Sequence, residues 1–279
     1  MTAMAVLLGT ARPADAAATG AAIAPVLGLG LTDAAHRART CGGIVAERAA
    51  PEVAAALVEA LGRRGVFARA IEAAALPAIE RPRRATRARA GERALELKLG
   101  AAGAEAIVPW EEIRLVLPFA VSETARAFVP ARVHAPDFGE PLEVSDACAR
   151  LIAALRQARA RIGLDVITEG RAFRLWREEL DYPEESGIAA GLAPHSLERF
   201  LALARIVVAR ALRAPKPPES EALLGAGLLE PALFSDVIEV VRYERWLLAN
   251  ASVPPPAKQE GGEGMEVPEE RTIPPADPP

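Results

Sequence analysis

Histidine, cysteine and clustered carboxylates are the residues of this chain that could do chemistry, and their spacing limits what that chemistry can be. The three histidines, His36, His134 and His195, fall in three separate segments. No His-x-x-x-His, Cys-x-x-Cys or Glu-x-x-His pair occurs, so no metal site is predicted. His195 precedes Ser196, a pairing that could suggest nucleophile chemistry. Ser196 is better used as a helix N-cap, with Glu198 in the first turn. His36 is expected on the surface of a short helix. His134, in His-Ala-Pro-Asp-Phe-Gly, is the one histidine in a loop and the one candidate ligand.

Glu178, Glu179, Asp181, Glu184 and Glu185 surround Tyr182 and Pro183. Paired carboxylates can exchange protons or bind a hard cation. With no partner visible in the sequence, a solvated acidic loop is expected. Gly28-x-Gly30 lacks the third glycine of a dinucleotide site, and no Gly-Lys-Ser/Thr phosphate loop occurs. Trp110, Trp176 and Trp246 stand one to an element and are expected to anchor a core or an interface. Cys41 and Cys148 lie in separate units and are expected to be inert thiols in a reducing compartment. No catalytic, cofactor-binding or metal-binding residue is assigned, no cofactor is implied, and a protein without enzymatic activity is expected.

The elements that would position these residues begin with a strand at Met4 to Leu8. An apolar run from Ala16 to Leu27 reads as a helix, stopped by Gly28-Leu29-Gly30. Thr32 is a good N-cap for a second helix, with Leu31 packing back onto it and Asp33 favouring the positive end of the dipole. Ile44-Val45 is a short strand after the Gly42-Gly43 breaker. Pro51 opens a helix on which Ala54, Leu57, Val58 and Leu61 recur at helical spacing. Gly65 ends it, and Val66 to Ile71 closes the unit as a strand. The order is strand, helix, helix, strand, helix, strand, which predicts one sheet with helices on one face.

These residues resemble the C-terminal domain of the bacterial large-subunit ribosomal stalk protein (the L-seven/L-twelve type). That family carries Gly-Leu-Gly-Leu, found here as Gly28 to Leu31. Its Lys-Glu strand end falls on Ala46-Glu47, and its later Ala, Leu, Leu and Gly fall on Ala54, Leu57, Leu61 and Gly65, all without a gap. The resemblance implies the stalk-domain fold for residues 1–76 and binding of translation GTPases through basic residues of the first two helices. By register those positions are Ala16, Ala21, Ala24, Thr32 and Ala35. None is basic, which argues against GTPases as partners.

Residues 77–93 read as a linker, since Leu76-Pro77 and Arg81-Pro82 break helix. Arg81, Arg83, Arg84, Arg87, Arg89 and Arg93 then form a basic run with no interleaved aromatic, expected to be solvated. A second unit, 94–250, starts with the alternation of Leu95, Leu97 and Leu99, followed by Ala106, Val108 and Trp110 and by Ile113 to Phe119. The phrase Val108-Pro109-Trp110-Glu111-Glu112-Ile113 looks like a strand edge of pleckstrin-homology-like bacterial domains. Pro130 to Pro141 reads as irregular and Val144 to Arg161 as helix. Leu164 to Thr168 and Ala172 to Arg177 read as strands around Glu169-Gly170. Ser196 to Leu212 and Phe234 to Leu248 read as amphipathic helices. The fold class is α+β: a stalk-type sheet-and-three-helix sandwich, a second sheet-plus-helix unit that is PH-like, and a tail at 251–279 expected to be disordered.

Hydrophobic content is 51%, but alanine dominates it and aromatics are only 4%. The net charge of −4 lies wholly in the tail: Glu260, Glu263, Glu266, Glu269, Glu270 and Asp277 against Lys258 and Arg271. The remainder is neutral, which argues against nucleic acid as a partner. Met1 to Leu8 and the alanines after it mimic a signal peptide but lack a positive start. No apolar run approaches the ~18 residues of a spanning helix. A cytoplasmic protein with a protein partner and no membrane role is expected: an interaction or adaptor protein. The alternatives are a ribosome- or translation-factor-associated protein, and a hydrolase or ligand-binding protein with a site assembled from scattered residues such as His134, Glu178 and Asp181.

Overall fold

The computed structural model describes residues 2–100, 103–122, 144–181 and 197–251. His134, Tyr182, Glu184, Glu185, His195, Ser196 and the tail from Ser252 lie outside them, as does the side chain of Cys148. The described residues form a mixed helix-and-sheet protein with two sheets, one of three strands and one of seven.

The first sheet is built from β1 (Met4–Leu8), β2 (Ile44–Ala49) and β3 (Ala68–Glu72), in the antiparallel order β2-β1-β3. Its helices are α1 (Ala16–Leu27), α2 (Leu31–Thr40) and α3 (Pro51–Gly62), so the element order is the one expected from the sequence. The Asp15 carboxylate caps α1 by accepting from the Ala18 amide at 2.8 Å. Gly28 ends it with a left-handed φ of 63°. Thr32 is not the cap of α2: Gly30 takes that position with extended backbone and no side-chain hydrogen bond, because the helix starts two residues earlier than expected, at Leu31. Alternation along β1 splits its side chains. Val6 and Leu8 face Ile23, Leu57 and Leu61 on the helical side, and Ala5 and Leu7 face the opposite way with Ile44.

That second face corrects the expectation of a sheet covered on one side only. It is buried beneath the last helix, α7 (Val237–Ala251), whose Ala249 and Trp246 pack on Ala5, Leu7 and Ile44. Gly42 and Gly43 make the approach possible. Gly43 has φ 85°, and a Cβ there would fall 2.4 Å from the Trp246 ring. The indole of Trp246 donates to the Leu8 carbonyl at 2.8 Å.

The large sheet has the order β10-β7-β8-β9-β4-β5-β6. Its strands are β4 (Arg83–Ala90), β5 (Ala94–Leu99), β6 (Ala104–Pro109), β7 (Leu115–Ser122), β8 (Ala160–Thr168), β9 (Arg171–Trp176) and β10 (Leu233–Phe234). Pairing is parallel at β10–β7 and at β4–β9, and antiparallel elsewhere. The helices α4 (Val144–Ala158) and α5 (Leu197–Arg210) and the short α6 (Pro218–Glu221) complete this part.

Three expectations fail here, the first being that Phe234 opens the last amphipathic helix: it lies in β10, and the helix starts at Val237. Residues 83–90 form β4, a strand between β9 and β5, in place of a solvated linker. Ala85 and Ala88 are its buried contacts, and an irregularity between Ala85 and Arg87 sets them three residues apart, which hides the two-residue period. Helix α4 ends at Ala158; Arg159 then turns with φ 46°, and residues 160–168 are strand.

One face of the large sheet, with Leu97, Val108, Ile162, Leu164, Val166, Phe173 and Leu175, packs under α4 and α5. The other face, with Leu115, Leu117, Phe119 and Trp176, packs under α7 through Val240, Tyr243 and Leu248. Helix α7 is therefore a shared layer between the two sheets. Among the described residues no single helix is long and apolar enough to cross a membrane. The pair α1 and α2 has the composition but is bent by 115°.

Candidate functional site

Helix α7 covers β7, β8 and β9 but leaves β4, β5 and β6 open on the same face, where Arg84, Arg87, Lys98 and Ile107 meet solvent. A groove of about 530 Å³ lies at this step. Its floor is Arg84, Arg161, Arg174 and Trp176, and its walls are residues 79–82 and the α7 side chains Val237, Ile238 and Val241.

The floor arises from strand alternation. Ile162, Leu164 and Val166 of β8 fill the core under α4 and α5, which turns Arg161, Gly163 and Asp165 to the groove side. Arg174 stands opposite Asp165 on β9 and level with Arg84 on β4, so one polar residue from each of three neighbouring strands meets there. The Arg161 guanidinium lies 4.4 Å above the Trp176 ring. Arg174 is 5.0 Å from the Phe119 ring centroid and 5.7 Å from that of Trp176.

The wall is fixed by the start of α7. The Glu239 amide donates to Asp236 Oδ1 at 2.8 Å, and Glu239 Oε2 accepts from the Ser235 amide at 2.7 Å, a reciprocal cap. Arg12, from the turn after β1, donates to the carbonyls of Pro231 at 2.9 Å and Leu233 at 2.5 Å and lies over the Phe234 ring. With the first turn held at both ends, Ile238 projects outward and is 63% exposed.

The electrostatics join two charged runs that look independent in the sequence. Glu179 accepts from Arg84, and from Arg161 at 2.7 Å. Glu178 lies 3.7 Å from Arg161 and 3.2 Å from Arg177. Asp181 accepts from Arg87 Nε at 3.1 Å, and its amide donates to the Thr86 carbonyl at 2.8 Å. The expected solvated acidic loop is thus, at Glu178, Glu179 and Asp181, the counter-charge of the basic run. These carboxylates sit beside β4 because β9 runs parallel to it and delivers them there. Burial works to raise the Glu179 carboxyl, but the bonds and charges of Arg84 and Arg161 together outweigh it and hold it below the usual carboxylate range.

Beneath α7 the polar row continues inward. Arg174 Nε donates to Asp165 Oδ1 at 2.8 Å, both side chains being almost wholly buried. Glu244 of α7 is fully buried beside them, with its carboxyl against that of Asp165. Burial first, and the Asp165 charge second, push the Glu244 carboxyl well above its usual range, against the opposing pull of Arg174. That direction favours the protonated form of Glu244, and Asp165 is the carboxylate that accepts the Arg174 hydrogen bonds.

The other described residues singled out from the sequence are not brought to this groove. His36 is exposed on α2. Cys41 is buried, and burial raises its thiol, which suits an inert residue. Trp110 donates to the Glu92 carbonyl at 3.2 Å, and Trp246 ties α7 to β1. Of the three tryptophans, Trp176 alone lines the groove. Among the described residues no three His, Cys, Asp or Glu side chains are grouped to hold a metal ion. A second depression, of about 550 Å³, sets Glu111, Glu112 and Glu169 against Arg114 and Arg213, so its charges nearly cancel.

By sequence, Arg161 is placed at the end of a helix and no role is given to Arg174 or Asp165. Their signal is that they interrupt apolar strands at alternate positions, which marks a face that is not plain core. Chemically, the groove offers planar guanidinium groups for carboxylates beside an apolar wall. No family model, curated protein or solved structure matches the chain.

Proposed function

We propose that this chain is a non-enzymatic interaction protein whose groove docks segments of other proteins that carry carboxylates next to apolar side chains. The observation that carries this reading is the exposed Ile238 standing with Val237 and Val241 directly over Arg84, Arg161 and Trp176. Among the lining residues four arginines, including Arg81, face one carboxylate, Glu80. Arg84 and Arg161 are answered by Glu179 and Arg174 by Asp165, so an incoming carboxylate exchanges one ion pair for another. The apolar wall then has to supply much of the affinity, which sets a modest, micromolar expectation.

Titration of the full chain with a panel of labelled synthetic peptides tests this. Peptides alternating glutamate with leucine or valine are expected to bind at micromolar concentration, and their lysine counterparts are not. Ile238→Asp is expected to remove binding. Equal affinity for acidic and basic peptides, or binding indifferent to Ile238, would refute the proposal.

A second reading, association with the ribosome or a translation factor, is supported by the β1-α1-α2-β2-α3-β3 order and by Leu31, 68% exposed in the first turn of α2. Against it stand the five positions named above. Thr32 is exposed but uncharged, and Ala24 is buried, so a basic residue there could not reach a partner.

A further inference from the structure

The groove has a candidate occupant within the same chain. Residues 263–270 read Glu-Gly-Met-Glu-Val-Pro-Glu-Glu, placing four carboxylates around Met265 and Val267. This is the chemistry that the groove complements: guanidinium groups on the floor and an aliphatic wall from α7. The net charge of the tail, −4, equals that of the whole chain, so an acidic segment is tethered to a body that is neutral overall and whose groove is lined by four arginines, three of them paired with Glu179 or Asp165.

The tether is long enough. The described chain ends at Ala251, the last residue of α7. The groove wall lies back along that helix, about 15 Å away at Val241 and about 21 Å away at Val237 at the rise of an α-helix. Residues 252–262 intervene before Glu263, and a stretch of that length spans up to roughly 36 Å when extended. Val237 therefore lies well within reach, with slack for a change of direction at the helix end.

We infer that residues 263–270 dock in the groove of their own chain, with Met265 or Val267 against Ile238 and the glutamates on Arg84 and Arg161, and so exclude other acidic segments until displaced. This inference rests on the groove being a protein-docking site. Its consequence is competition: a short flexible tether holds the tail at an effective concentration on the order of millimolar, so only a partner of higher affinity or abundance gains entry.

The test uses the full chain and a labelled synthetic peptide of residues 260–273, followed by fluorescence anisotropy. A full-length variant with Glu263, Glu266, Glu269 and Glu270 each changed to Lys is compared with wild type. Removing a competitor of that effective concentration is expected to tighten apparent peptide binding roughly tenfold or more in the variant. Adding Ile238→Ser or Arg84→Gln to the variant is expected to abolish the gain. Equal affinity of wild type and variant for the peptide would overturn the inference. So would failure of this peptide to bind the variant while the glutamate-leucine panel binds it at Ile238; in that case the docking site stands and its internal occupant falls. If neither this peptide nor the panel binds the variant, both fall together.

Discussion

Replacing Glu244 by glutamine tests the charge state of the polar row under α7. Glu244 is fully buried, with Asp165 and Arg174 as its charged neighbours. Its folded pKa is raised above the unfolded value of about 4.5. Below that unfolded value both states hold the proton, and folding loses nothing. As pH rises, the unfolded chain releases the proton while the folded chain keeps it, so stability falls by about 1.4 kcal/mol per pH unit until the folded pKa is reached. Glutamine has the same shape and no proton to lose. The two proteins should therefore differ little at pH 4.5, and the variant should gain on wild type as pH rises. Between pH 5 and 7 the relative gain is at most about 2.7 kcal/mol, or roughly 5–11 °C in Tm for a folded body of this size. Melting both proteins by circular dichroism at pH 4.5, 5.5, 6.5 and 7.5 measures it, and differences between the two curves cancel the titration of groups that do not interact with Glu244. A gap independent of pH would show that Glu244 is ionised in the folded state and shares Arg174 with Asp165, which would refute the assignment.

Gly43→Ala is expected to cost about 2–4 kcal/mol in urea unfolding, since it combines a left-handed backbone with a Cβ driven into the Trp246 ring; a cost below 1 kcal/mol would mean that α7 is not seated there. A fragment of residues 1–76 should retain its helix-side core of Val6, Leu8, Ile23, Leu57 and Leu61 and give a dispersed amide spectrum. It should also self-associate through the bared Ala5, Leu7 and Ile44; sedimentation reads the second effect, and an undispersed spectrum would show that the fragment needs α7 to fold. Asp165→Asn should destabilise the chain by about 3–5 kcal/mol, because Arg174 loses its buried partner, less whatever Glu244 recovers by ionising; chemical denaturation at neutral pH measures the remainder. Titration with an elongation factor at physiological salt should show no binding, and a micromolar dissociation constant abolished by Leu31→Asp would favour the translation reading instead.

Much of the first unit is legible in the residues because its signals are local. Gly28, Pro51 and Gly65 punctuate helices through their own backbone chemistry, and the apolar run from Met4 to Leu8 marks a strand, whereas the Asp15 cap and the cover on the second face emerge only in the structure. The sequence could not say what covers the second face, since α7 begins more than two hundred residues from β1. The same limit applies to the groove. The arginines of 81–89 and the carboxylates of 178–181 were each visible as runs of charge, and each alone reads as solvated. Only the parallel pairing of β4 with β9 lays Arg84 against Glu179 and Arg87 against Asp181. Hydrophobic periodicity fixes which way a residue faces from its near neighbours, whereas a groove or an ion pair between distant segments depends on strand order, and strand order is set by how the separate apolar faces find cover against one another.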